Sequence, residues 1–582
     1  MVAPRLSPAL VAIASGVLFS GVAEAQYKVD TRDDIIASSK SLAYDLMKFY
    51  HGNESGQIPG LLPGPPASGT GDYYWWEAGA MMGTYIDYWK LTGDTTYNDV
   101  VTEGMLFQVG PQRDYMPPNQ TLSLGNDDQG FWGLSALLAA ENKFPDPPAD
   151  QPQWLELAQA VWNTQADPSR YDETCNGGLR WQIPRTNAGY DYKNTIANGI
   201  FFNMGARLAR YTGNDTYAER AEKAWDWLWG VQYIDHDTWA VYDGASVNDN
   251  CTDIHKTQYS YNAGILIQGV AFMYNHTSDD KWRARLDSLL DACLASFFPE
   301  QIAYELSCEF ALGGGVCKTD MLSYKGYLVR WLGVVTQVAP HTAAKILGPL
   351  RTSGEAAARQ CTGGASGREC GFYWTEGKFI DPSVDKTSGA GEAMDVLAAV
   401  SSMLIEDVAP PVTNDTGGTS RGDPNAGGRD NGERVVKPVT AGDKAGAAIL
   451  TILLLVGATD GYLASTASPA HMIDALAHVA SPPWTSQTHR PSPMPISWLP
   501  SWRQLHPRRL AVIAQAVSTQ AGLPSRSGND YQAMQRHRSN VSRSDQAAAL
   551  AAWRQRQSFP NEVEPTHWLQ QPRIELPRRV DE

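Results

Sequence analysis

Three turns of one design punctuate the chain: Thr92, Gly93, Asp94 before Tyr97; Thr212, Gly213, Asn214 before Tyr217; and Thr277, Ser278, Asp279 before Trp282. Each reads as a helix stop followed at once by an N-cap, joining two antiparallel helices. Their recurrence predicts a helical hairpin about every 60 residues. Between Asp33 and Asp407, apolar residues recur at three- and four-residue spacing in twelve segments: 33–50, 75–91, 96–107, 128–142, 152–166, 193–212, 215–231, 257–277, 280–297, 319–339, 341–358 and 388–407. Strand-like alternation is scarce. Short turns follow the even-numbered segments, whereas long loops rich in Gly, Pro, Asn and Tyr precede them. The pattern predicts an all-α fold, an (α/α)6 barrel of inner and outer helices with its long loops gathered over a cleft.

The most distinctive residues fall where the even-numbered segments meet that face. They are Trp75, Trp76 and Glu77; Asp127 and Asp128; Asn194 and Asn198; Tyr259, Tyr261 and Asn262; Tyr324 and Lys325; and the turn of Gly389, Gly391 and Glu392. Asp127 and Asp128 are the expected catalytic pair. Cleaving a glycosidic bond with retention needs two carboxyl groups about 5 to 5.5 Å apart, and neighbours at a loop-to-helix junction can span that gap. A plainer reading makes Asn126 an N-cap and Gln129 its capping-box partner, with acids in the first turn favoured by the helix dipole. For catalysis, the helix N-terminus is expected to hold one Asp ionised while that charge keeps its twin protonated. Trp75, Trp76, Trp132, Trp181 and Trp374 are expected as stacking walls, with Glu77, Asn194, Asn198, Tyr261, Asn262 and Lys325 as partners for sugar hydroxyls. A terpene-cyclase DDxxD motif would need a third acid where Phe131 stands.

The net charge of −16 argues against nucleic-acid partners. Residues 1–25 read as a secretory signal, with Arg5, an apolar stretch from Ala9 to Phe19, and Ala23-Glu24-Ala25 before the cleavage point. Export gives meaning to the sequons at Asn53, Asn119, Asn214, Asn250, Asn275 and Asn414. It also favours disulfides among seven cysteines. Cys308 with Cys317 and Cys361 with Cys370 are close enough to staple local loops; Cys175 with Cys251 is a long-range pairing. Cys293, in an apolar helical run, reads as a buried thiol. No CxxC or His-rich metal spacing occurs, so neither metal nor cofactor is expected.

Residues 26–409 form the expected catalytic domain, and the Gly-, Asp- and Asn-rich residues 410–444 a flexible stalk. Residues 445–458 are apolar and resemble a GPI-attachment signal or a short membrane segment. Residues 459–582 hold no lysine and no sustained periodicity. They read as a low-order tail or a gene-model artefact.

Several long motifs in order carry a resemblance: YYWWEAGAMMGTYIDYW from Tyr73, NDDQGFWGLSALLAAE from Asn126, CNGGLRWQI from Cys175, YKNTIANGIFFNMGARLARYTGN from Tyr192, YSYNAG from Tyr259 and SYKGYLVRW from Ser323. From about Tyr27 to Asp407 the chain resembles glycoside hydrolase family 76, specifically the fungal cell-surface mannan endo-1,6-α-mannosidases. The resemblance implies a retaining mechanism on α-1,6-linked mannose, in mannan or a GPI-glycan core, with Asp127 as nucleophile and Asp128 as acid/base. It also implies a GPI-anchored monomer at the plasma membrane or wall, with transfer to wall β-glucan as an alternative to hydrolysis. A catalytically inactive mannan-binding or scaffold protein is the competing reading.

Overall fold

The computed structural model describes residues 27–311, 316–381 and 389–427. Its helices are α1 (Arg32–Met47), α2 (Trp75–Thr92), α3 (Asn98–Phe107), α4 (Asn126–Asn142), α5 (Trp154–Gln165), α6 (Thr195–Thr212), α7 (Asp215–Gly230), α8 (Ser260–Thr277), α9 (Asp280–Phe297), α10 (Tyr324–Val338), α11 (Ala343–Arg359) and α12 (Ala390–Ser402). The even-numbered helices form an inner ring in which each packs on the next and α12 returns to α2; the odd-numbered helices lie outside them. This is the expected (α/α)6 barrel, with one helix for each expected segment.

The three predicted turns share one set of hydrogen bonds. Thr92, Thr212 and Thr277 each donate Oγ1 to the carbonyl four residues back at 2.7 Å, and accept the N–H of Asp94, Asn214 and Asp279. Between them Gly93, Gly213 and Ser278 adopt left-handed φ of 74°, 69° and 55°. The side chains of Asp94, Asn214 and Asp279 then accept the N–H two residues on; Asn214 and Asp279 thereby cap α7 and α9, whereas α3 begins later, at Asn98 after Tyr97.

Inner helices are enclosed on every side, so they crowd. A Cβ at Gly79 of α2 would come 2.7 Å from the Trp132 ring on α4. Towards the short-turn end of the ring, buried charges are neutralised in pairs. The Arg207 guanidinium holds the Glu141 carboxylate through Nε and Nη2, the shortest contact being 2.6 Å, and Arg330 meets Asp87 at 2.6 Å.

At the other end the long loops carry β1 (Tyr192–Asn194), β2 (Gly244–Ser246) and β3 (Ile254–His255), paired antiparallel in that order. A second hairpin, β4 (Cys361–Gly363) with β5 (Glu369–Cys370), precedes α12. The disulfides are Cys175–Cys251, Cys308–Cys317 and Cys361–Cys370, and Cys293 is a buried free thiol. The sequon asparagines named above are exposed, although Asn275 donates its Nδ2 to Val338 O at 2.7 Å.

The stalk expected from residue 410 does not begin there. Val412 donates its N–H to Glu141 O, Arg210 holds the carbonyls of Pro411 and Val412, Ser420 Oγ accepts from Leu155 N–H, and Asn163 bonds the carbonyls of Pro424 and Ala426. Composition suggested a solvated segment, but the barrel supplies partners for its backbone. Residues 410–427 are a strap on the outer wall. The signal at 1–25, the rest of the stalk, the apolar segment 445–458 and the tail 459–582 lie outside the described residues. Among the described residues no helix is long and apolar enough to cross a membrane.

Candidate active site

Every residue of α4 is buried except Asp128. The helix starts one residue earlier than the sequence suggests: Gly125 is the N-cap, and Asp128 at N3 accepts the Gly125 N–H on Oδ2 at 2.6 Å. Asn126, expected as the cap, instead fastens the helix to the α5–α6 loop, donating Nδ2 to Arg180 O and its N–H to Trp181 O and accepting from Arg170. The cap therefore falls on one of the two expected catalytic acids. With Oδ2 held by the cap, Oδ1 is left as the oxygen to carry an exchangeable proton.

Asp127 retains 8% exposure. Its Oδ1 accepts the Asp128 N–H at 3.0 Å, and its Oδ2 accepts from Asn194 Nδ2 at 3.3 Å. Asn194 is itself the α6 N-cap, with Oδ1 accepting from Ala197 N–H. The absence of a side chain at Gly125 makes room for both acids. A Cβ there would lie 2.2 Å from Asp127 Oδ1 and 3.2 Å from Asp128 Oδ2. Two oxygens that close to one point are no more than about 5.5 Å apart, short of the ~6.5 Å at which inverting pairs begin.

The expected electrostatics need correcting. Burial raises both carboxyls and outweighs the helix N-terminus: Asp128 is pushed up to about 6, and Asp127 is raised well above the usual range by burial and then by the neighbouring charge. No cation pairs with either among the described residues. The pair thus shares a proton, as like charges in a low-dielectric recess must.

Around this pair the inner helices bring Trp76, Glu77, Asn194, Tyr261 and Asn262 together. Glu77 is the N3 acid of α2, accepting the Tyr74 N–H at 2.8 Å, and burial raises it, with the charges of Asp320 and Asp128 adding to the shift. Trp76 packs on Phe131 at 4.5 Å and hydrogen-bonds Asp320, which burial and the Asp128 charge push up to about 7. Tyr261 lies flat on Tyr324, 3.8 Å between centroids, within the field of Asp127. Trp181, 37% exposed, lines the approach from the α5–α6 loop.

Five expected binding residues are occupied elsewhere. Trp132 is fully buried between Trp75 and Tyr115, and Trp75 donates to Gln108 Oε1 at 2.8 Å. Trp374 is buried against Gly371 O. Lys325 ion-pairs with Glu309 at 2.8 Å, bonds Phe372 O and lies over the Phe372 and Trp374 rings. Asn198 clamps both the N–H and the carbonyl of Leu179. These side chains build the floor and walls around the acid pair, their polar atoms taken up by protein partners.

Sequence reading missed Asp243, Asp320 and Tyr324's part in the stack. Asp243 reaches the site because Asn194 pairs with Gly244 in the β1–β2 register. It accepts from Tyr192 Oη at 2.8 Å and from Asn262, and burial raises its carboxyl. An isolated acid in a loop offers no periodic signal; only its place on the long-loop face pointed to it.

A closed ring of helices with paired acids at its loop end defines an (α/α)6 carbohydrate-active enzyme. Residues 34–415 match the model of Glycosyl hydrolase family 76, and the chain belongs to that family. Mannan endo-1,6-alpha-mannosidase DCW1 of Eremothecium gossypii is 44% identical over 431 residues, 73% of this chain and 92% of that protein. DCW1 of Saccharomyces cerevisiae is 42% identical over 444 residues, 75% and 95% of the two chains. The crystal structure of Dfg5 from Chaetomium thermophilum in complex with glucosamine is 66% identical, with a TM-score of 0.68 over 70% of this chain and 98% of that one. The alpha-1,6-mannanase GH76A from Salegentibacter sp. HEL1_6, at 17% identity and a TM-score of 0.50, shares the fold.

Proposed function

We propose that the chain is a retaining, endo-acting α-1,6-mannosidase that cleaves or transfers α-1,6-linked mannose chains, in mannan or a GPI-glycan core, during fungal cell-wall biogenesis. The observation that carries this reading is the Asp127–Asp128 pair, held within about 5.5 Å at the opening of a buried helix. The names of the relatives supply the substrate class.

Asp127, steadied by Asn194 and the Asp128 N–H, attacks the anomeric carbon. Asp128 gives its proton to the departing oxygen, and the carboxylate it leaves then takes a proton from water or an acceptor hydroxyl as the ester breaks. Trp181 gives a partly open ring beside the pair for stacking. Secretion, N-glycosylation and a C-terminal anchor holding a monomer at the cell surface, with wall β-glucan as acceptor, complete the proposal.

Trapping tests it directly. Incubation with a 2-fluoro mannosyl substrate followed by peptide mass spectrometry is expected to place the sugar on Asp127. A label on another residue, or turnover of α-1,6-mannan that survives Asp127→Asn, would overturn the mechanism; a wild type with no turnover and no label would favour the scaffold.

A further inference from the structure

Behind the site, the α5–α6 loop backs onto the outer helix α7 and leaves a recess of about 340 Å³ lined by Tyr171, Asn176, Gly178, Arg220, Lys223 and Trp227, among others. That volume lies within the range of small-molecule sites.

The loop wall is held in an unusual backbone shape. Cys175, Asn176, Gly177 and Gly178 have consecutive left-handed φ of 54°, 58°, 115° and 77°. Three independent ties hold them: the Cys175–Cys251 disulfide, the bond from Trp227 Nε1 to Cys175 O at 2.9 Å, and the buried Lys193 ammonium on the carbonyls of Thr174 and Gly177. A Cβ at Gly178 would come 2.4 Å from the Trp227 ring, so the indole lies directly against this turn. Backbone in sparsely populated regions that its surroundings over-determine is concentrated at ligand sites.

The opposite wall sorts its charges. On α7, Glu222 and Asp226 face the outer helix α9, where they meet Lys281 and Arg285. Arg220, Lys223 and Trp227, three and four residues apart, share the stripe that lines the recess. Lys223 has no hydrogen bond or ion pair among the described residues, and neither the Tyr171 hydroxyl nor the Asn176 amide has a hydrogen-bond partner there. Arg220 donates to Ala166 O and lies over the Trp162 ring, with no carboxylate partner among the described residues. In a chain of net charge −16, two cations without acids beside aromatic rings and free polar groups are arranged for an anion on a ring-shaped body.

We propose that this recess is a second saccharide site, apart from Asp127 and Asp128, which takes a phosphate-bearing sugar: the pyranose against Trp227 and Tyr171, the phosphate between Arg220 and Lys223. The inference does not rest on the mannosidase reading, so the probes include a second hexose.

The test titrates the purified full chain with mannose 6-phosphate, glucose 6-phosphate, mannose and inorganic phosphate, followed by tryptophan fluorescence and calorimetry. A sugar phosphate is expected to bind at least tenfold more tightly than mannose or inorganic phosphate. Lys223→Glu, at an exposed position, is expected to weaken that binding tenfold or more while leaving turnover of unphosphorylated α-1,6-mannan unchanged; Asp127→Asn should leave the binding intact. Equal binding of mannose would remove the anion from the proposal, and equal binding of inorganic phosphate would remove the sugar. Full affinity in both Lys223→Glu and Arg220→Ala would overturn the site. Binding of glucose 6-phosphate by a chain that does not turn over mannan would uphold the recess and sink only the mannosidase reading.

Discussion

Helices α2 and α4 each carry acids at both ends, and the two ends treat them differently. Towards the short turns, Asp87 meets Arg330 and Glu141 meets Arg207; towards the long loops, Glu77, Asp127 and Asp128 meet no cation among the described residues. At the first end a guanidinium balances each buried carboxylate and holds it in place. At the second the balancing species is a proton, which leaves and returns. The same barrel wall thus carries compensated charge at one end and acids without a cation at the other.

Breaking each end separately sharpens the contrast. Asp127→Asn should lower kcat on α-1,6-mannan by ~10³-fold or more while leaving the denaturation midpoint at or above that of the wild type, because a like charge is removed. Asp128→Asn should lose similar activity on mannan but keep much of it on aryl mannosides whose leaving group needs no proton. At the short-turn end, Arg207→Met should cost about 3–5 kcal/mol in urea unfolding, since Glu141 would be left buried and unpaired. A mild unfolding effect there would dissolve the distinction. Gly125→Ala is subtler: the backbone, at φ −86°, accepts alanine, but its Cβ would press on Asp127. About a 100-fold loss in kcat/KM with an unchanged circular-dichroism spectrum is expected.

The protonic end also carries its own pH signature. Asp128 titrates at about 6 in the folded chain against an ordinary aspartate value of 3.8, so the folded form binds protons more tightly. Stability should fall as pH rises from about 4 to about 6, and fall less in Asp128→Asn. Across the same limb kcat/KM on mannan should fall, as Asp128 gives up the proton it must donate to the departing oxygen. The smallest effect belongs to the repeated turns: Asn214→Ala removes one cap bond and should cost about 1 kcal/mol, with kcat and KM unmoved.

How much of this was legible follows from what each residue type reports. The Thr92, Thr212 and Thr277 turns declared the hairpins because stop and cap lie side by side in sequence. The acid pair was visible for the same reason, although its cap was displaced from Asn126 to Gly125, since backbone pairing with Trp181 decides where α4 begins. Trp132 and Lys325 misled because inner helices are enclosed on all sides, so an aromatic or a lysine on one gives no sign of facing water or core; Trp374 stands in the loop before α12 and is folded back onto Gly371 O. The partner that buries Lys325, Glu309, stands in a loop outside any motif. Asp243 was silent until strand register carried it beside Asn194.

The strap on the outer wall has a directional consequence. It leaves the short-turn end beside Glu141, climbs past Leu155 and the length of α5, about 18 Å, and reaches Asn163 and Thr164, where Gly427 O meets Thr164 Oγ1 at 3.4 Å. Whatever chain continues beyond Gly427 therefore departs from the same rim as the catalytic mouth. A tether hung from that point would pull on the enzyme beside its mouth and keep the cleft close to the surface it is moored to, where an insoluble polymer has to be met.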